Sequence, residues 1–202
     1  MRSSNGPGGR TFADEARRRQ LVDCAIEVIA EEGFGQASLA RIAQRAGVAK
    51  SVVLYHFANK EELIQQVSAA VSQDSFTAVS APLADAVGAR DKLRVILETV
   101  IGFIDTHRTH ALAGLETWNM LRSLPARDRL PTGPDGIEQL FVEGQRNGEF
   151  GEFDPHVLAI MVRQAIDAAG LEAAVNPDVD LKAFTAELVE MFDRATRSPA
   201  RE

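Results

Sequence analysis

Ser38-Leu39-Ala40-Arg41-Ile42-Ala43-Gln44-Arg45-Ala46-Gly47-Val48-Ala49-Lys50-Ser51-Val52-Val53-Leu54-Tyr55-His56-Phe57 constrains this chain more than any other stretch. It reads as two short helices with a sharp turn between them. Ser38 is an N-cap whose hydroxyl can satisfy a free backbone N–H of the first helix. Ile42, Ala43 and Ala46 recur at helical spacing and form a narrow apolar stripe. Ala43 is small where a second helix has to cross closely. Gly47 falls where the first helix must stop, in a left-handed conformation that glycine adopts without strain. Val48, Val53 and Phe57 give the second helix its apolar face. Lys50, Ser51, Val52, Tyr55 and His56 make the other face cationic, hydroxylic and aromatic, as a helix lying in a DNA groove requires.

Apolar periodicity extends along the chain. Leu21, Val22, Ala25, Ile26 and Ile29 share one helical face that closes at Gly33, with Thr11 and Asp14 as its start. Cys24, the only cysteine, lies among them and reads as a structural thiol, which fits a reducing compartment. Asn59 caps a further helix with Glu62 at its third position, and the sequence around Pro82 predicts its end. Leu93, Ile96, Leu97, Val100 and Ile104 predict a helix over 91–106, and another follows over about 109–124. A loop rich in proline spans 124–134. Ile137, Leu140, Phe141 and Gly144 carry a helix ended by Asn147-Gly148. Asp154-Pro155 and Asp180 start two more. No segment alternates as a strand does. The sequence therefore predicts an all-α fold of about nine helices.

The last two helices, about 155–175 and 180–196, bear on assembly. The first is apolar nearly all round, from Val157 to Leu171. The second carries Leu181, Phe184, Leu188, Met191 and Phe192. A monomer of this size would leave part of that surface exposed, which predicts pairing of two copies as a four-helix bundle around a two-fold axis.

Charge is distributed unevenly. The 202 residues carry a net charge of −7, yet residues 1–60 hold 9 Lys and Arg against 6 Asp and Glu, and the remainder 13 against 23. A mildly basic N-terminal module thus faces a polyanion and an acidic body faces away. No apolar run approaches the roughly 20 residues that span a bilayer. Met1 to Arg10 has no apolar core, so it reads as a disordered arm (1–12) and not a secretory signal. Arg2 and Arg10 could reach a minor groove. These features predict a cytoplasmic protein.

The stretch from Ser38 to Phe57, with Arg18 to Phe34 before it and Leu54 to Leu63 after it, resembles the helix-turn-helix of the tetracycline-repressor (TetR) family of bacterial transcription regulators. The resemblance covers about the first third of the chain and departs from the family at Leu54, where a tyrosine is usual. It implies a three-helix DNA-binding domain over 13–60 and a helical ligand-binding and dimerisation domain over 61–202. It also implies a homodimer that binds a palindromic double-stranded operator as a repressor and is released by a small molecule. The expected DNA contacts are Ser38, Arg41, Arg45, Lys50, Ser51, Val52, Tyr55, His56 and Lys60. Tyr55 and His56 would bond phosphates, Lys50 and Ser51 a base edge or phosphate, and Val52 a thymine methyl. Lys60 would clamp the backbone from the start of its helix, with Arg41 and Arg45 as flanking contacts.

The resemblance places a ligand pocket among the helices of about 90–170. Its expected lining is Phe103, His107, His110, Glu116, Trp118, Met120, Phe141 and Met161, with the Glu116 carboxylate aimed into an apolar cavity. The alternative is a small all-α enzyme or a protein-interaction module. The chain has no His-Glu-x-x-His, no Cys-x-x-Cys and no Gly-rich loop between strand and helix, and His107 with His110 lack a third ligand. No cofactor or metal is expected.

Overall fold

Local capping chemistry sets most of the helix ends. The computed structural model describes residues 12–121 and 135–198, and these contain helices and no strand. α1 spans Phe12–Glu32, α2 Leu39–Arg45, α3 Lys50–His56, α4 Lys60–Asp85 and α5 Gly88–Thr106. α6 spans Arg108–Leu121, α7 Asp135–Arg146, α8 Pro155–Val175 and α9 Leu181–Thr196. The expected arm with Arg2 and Arg10, the Thr11 cap and the loop at 124–134 lie outside the described residues.

The side chains of Ser38, Asn59, Asp154 and Asp180 each accept a backbone N–H from the first turn of α2, α4, α8 and α9. These bonds satisfy donors that a helix leaves unpaired. At Asn59 the bond comes from Glu62 N at 2.8 Å, and the Glu62 carboxylate takes the Ala58 N–H, one residue ahead of the usual capping-box partner.

The end of α2 is what makes the helix-turn-helix turn. Gly47 has φ +65°. The Val48 N–H reaches the Ala43 carbonyl at 3.0 Å and the Gly47 N–H reaches that of Gln44 at 3.2 Å. This paired closure consumes two orphan carbonyls and needs a residue in the left-handed region at position 47. Asn147-Gly148 closes α7 in the same way.

One expectation fails here. α4 does not end at Pro82 but runs through it to Asp85. A proline so near the end removes one ladder bond and leaves little helix beyond it to disrupt. Upstream, the Thr77 hydroxyl donates to the Gln73 carbonyl at 2.8 Å and that of Ser80 to the Thr77 carbonyl at 3.0 Å.

Two apolar clusters result. The first joins Leu21, Ile26 and Ile29 of α1, Ile42 and Ala43 of α2, Val53 of α3, Phe57, and Leu63, Ile64 and Val67 of α4. It also takes in Ala113 of α6. The second joins α5, α7, α8 and α9 through Leu97, Ile101, Phe141, Val162, Ile166, Leu188 and Phe192. α4 and α6 reach from one cluster toward the other, so their positions relate the two halves of the chain. Among the described residues, no helix is long and apolar enough to cross a membrane.

Candidate nucleic-acid interface and effector cavity

α3 is held from behind by Arg18 of α1. Its guanidinium donates to the His56 carbonyl at the end of α3 and pairs with Glu62 of α4 at 2.9 Å. It also lies 4.1 Å over the Phe57 ring. A cation at a helix C-terminus complements its partial negative charge, and the forked geometry of arginine fixes three elements at once. Nothing near Arg18 in the chain marks this role, because the partners lie 38 and 44 positions away.

Held in this way, α3 buries Val53 and presents Lys50, Ser51, Leu54 and Tyr55 to solvent, with Val52 and His56 half-buried. Tyr55 is 77% exposed, and its ring meets the His56 ring edge-on at 5.0 Å. An exposed aromatic hydroxyl, an ammonium and a hydroxyl on one short helix form a surface that can bond phosphates and base edges.

Other expected contacts point elsewhere. The Ser38 hydroxyl accepts the Arg41 N–H at 3.2 Å as the α2 cap. Arg41 Nε donates to both carboxylate oxygens of Glu32, at 2.8 and 3.0 Å. Arg45 donates to Glu27 at 3.1 Å and binds Glu31 through both of its terminal nitrogens. These bonds hold the Glu31 and Glu32 carboxyls below the usual range and the Arg41 and Arg45 guanidiniums above theirs. Both guanidiniums are therefore paired with α1 carboxylates in this structure. Lys60 Nζ is half-buried, donating to the Phe34 carbonyl at 3.0 Å and lying 4.2 Å over the Phe34 ring. Burial pushes its pKa down from the usual lysine value.

A cavity of about 620 Å³ opens among α4, α5, α6 and α8. Val71, Phe76, Val79, Phe103, Leu115 and Ile166 give it apolar walls, and Ser68, Ser72, Ser75 and Gln73 add hydrogen-bonding groups. Its charges come from α8, where Arg163 pairs with Asp167 at 3.1 Å. The size and the mainly apolar lining suit a small organic ligand.

Of the expected lining residues, the cavity contains Phe103. The His107 ring stacks on Phe103 at 4.2 Å, and His110 meets His107 edge-on at 5.9 Å and lies 3.9 Å from Asp74. The two histidines thus stand beside the cavity. Phe141 is fully buried in the second cluster, packed edge-on against Phe150 and Phe153. Met161 is exposed on the outer side of α8. Glu116 is exposed too, and its carboxylate accepts the Phe34 N–H at 3.3 Å, so it does not point into an apolar space. The side chains of Trp118 and Met120 lie outside the described residues. The expected lining omits the α4 wall entirely, although Val71, Phe76 and Val79 widen the apolar stripe of that helix.

The free thiol of Cys24 is half-buried, and desolvation raises its pKa, which suits a structural residue. No group of three or more His, Cys, Asp or Glu among the described residues could hold a metal ion.

Residues 21–67, which build the first cluster and α3, match the model of the family described as bacterial regulatory proteins, tetR family. Residues 21–67 thus belong to that family's DNA-binding module. It is 30% identical over 115 residues to the HTH-type transcriptional regulator BetI 1 of Chromohalobacter salexigens, covering 56% of this chain and 57% of that protein. The chain thus spans little more than half the length of the first curated relatives it matches. It is 25% identical over 180 residues to the fatty acid metabolism regulator protein of Bacillus subtilis, covering 86% and 92% of the two chains. The crystal structure of the transcriptional regulator FadR from Bacillus subtilis in complex with stearoyl-CoA has a similar fold, with a TM-score of 0.75 and 22% identity. That match covers 89% of this chain and 99% of that one.

Proposed function

We propose that this chain is a homodimeric TetR-family transcriptional repressor, working in the cytoplasm. Residues 13–60 bind a palindromic operator, and residues 61–202 sense a small molecule and dimerise. The observation that carries this reading is the α3 surface: the family match falls on the helix that exposes Lys50, Ser51 and Tyr55 together. Two such helices, one per protomer, enter successive major-groove faces. An effector in the α4–α5–α6–α8 cavity lowers operator affinity by as much as it prefers the protein's DNA-free conformation. The lining suits an effector with an apolar body and a polar head near Arg163 and Asp167. The stearoyl-CoA bound by the Bacillus subtilis FadR has that character. The relatives are regulators by name, which speaks against an enzyme.

The test is operator binding. Lys50→Ala and Tyr55→Ala are each expected to weaken specific binding by roughly tenfold or more, as loss of one good contact does, with far-UV circular dichroism unchanged. Wild-type affinity should fall as salt rises, because bound cations displace counterions. Variants that bind as tightly as wild type would remove α3 from the interface.

A further inference from the structure

α4 and α6 both line the cavity, α4 through Ser68 to Val79 and α6 through Ala111, Gly114 and Leu115. The same two helices meet at one residue outside it. Glu116, next to Leu115 on α6, accepts the Phe34 N–H at 3.3 Å. Lys60, at the start of α4, donates to the Phe34 carbonyl at 3.0 Å and covers the Phe34 ring at 4.2 Å. Phe34 therefore has its N–H bound to one cavity-lining helix and its carbonyl and ring bound to the other.

Its place in the chain gives those contacts leverage. Phe34 follows Gly33, whose φ is +81°. Its carbonyl also accepts the Ala37 N–H at 3.3 Å, just before the Ser38 cap of α2. The turn from 33 to 38 sets where α2 starts, and the closure at Gly47 carries that placement to α3. Ala113 supplies a fulcrum, since it is fully buried in the first cluster while Gly114 and Leu115 line the cavity. A displacement of α6 at the cavity then moves Glu116 against a fixed contact at Ala113.

We propose that Phe34 is the joint through which the sensing half sets the orientation of the helix-turn-helix, with Glu116 and Lys60 as its positioning residues. Lys60 then acts on Phe34 and not on a DNA phosphate. The inference rests on the DNA-binding reading above.

The experiment measures affinity for a duplex that the wild-type protein selects from random sequence, across a series of salt concentrations. Glu116→Ala should weaken binding by about tenfold, within the range usual for coupled sites. Glu116→Gln keeps an oxygen that accepts the Phe34 N–H and should bind as wild type does. Lys60→Met should weaken binding with the slope of log K against log salt unchanged. The double variant Glu116→Ala, Lys60→Met should be no weaker than the weaker single one, since either loss frees the same turn. A fall of about 1.8 in the Lys60→Met salt slope, about 0.9 for the lysine of each protomer, would make that lysine a phosphate contact and overturn the proposal. Wild-type affinity in Glu116→Ala, or equal losses in the Gln and Ala variants, would overturn it too. A wild-type protein that selects no duplex would instead refute the DNA reading, and this inference would fall with it.

Discussion

Replacing Leu171 and Val175 together by glutamate is expected to give a folded protomer that no longer pairs, with operator affinity lowered by roughly a thousandfold or more. Leu171 is 58% and Val175 70% exposed on α8, and Val157, Ile160 and Met161 are exposed on the same helix. Among the described residues, these apolar side chains stand uncovered along one outer face of α8. In the proposed dimer, two glutamates per chain would be stripped of water without a counter-charge. A monomer presents one α3 to a two-fold operator, so its binding should drop toward the non-specific level, which lies roughly 10³-fold or more below specific binding. Sedimentation equilibrium reads the assembly and a DNA titration the affinity. A wild-type chain that is monomeric at micromolar concentration, or a variant that still dimerises, would remove this face as the interface.

The position matters because sequence alone makes a poorer choice. Leu188 shares the apolar pattern of α9 but is 9% exposed and packs inside the protomer. Leu188→Glu would unfold the body before it tested any interface. Leu181 and Phe192 are buried in the same cluster.

The second large effect concerns the platform beneath α3. Phe57→Ala should destabilise the protein by about 3–5 kcal/mol, the usual cost of truncating a buried phenylalanine. Phe57 is fully buried among residues of α1, α2, α3 and α4, and the Arg18 guanidinium rests on its ring. Removing the ring opens a cavity under the residue that holds the end of α3. For a chain of this size each kcal/mol lowers the melting temperature by about 2–4 °C, so the fall should be roughly 6–20 °C. Thermal denaturation followed by far-UV circular dichroism measures it. A shift under about 2 °C would show that Phe57 is not central to this core.

Features that depend on near neighbours are legible in the chain itself. Ser38, Gly47, Asn59, Asp154 and Asp180 act on backbone groups a few positions away, and each caps or closes the helix that its position predicts. The exposed face of α3 follows from periodicity within seven residues. Features made by distant partners are not legible. Glu116 reaches Phe34 across 82 positions and Arg18 reaches Glu62 across 44. Arg41 and Arg45 read as free cations in sequence because nothing local shows that Glu27, Glu31 and Glu32 stand opposite them. Phe103 and Phe141 carry the same apolar signature, yet one lines the cavity and the other fills the core. Periodicity gives the face of a helix and not what that face meets.

Selection of bound duplexes from a random library by the purified protein asks outright whether α3 of each protomer reads DNA. Two recognition helices related by a two-fold axis should enrich a palindrome whose half-sites lie one helical turn or a multiple of it apart, about 10 base pairs per turn. That enrichment should be lost in Tyr55→Ala. Equal recovery of all sequences, or an enriched site that Lys50→Ala and Tyr55→Ala bind as well as wild type, would contradict the assignment of α3 to the groove.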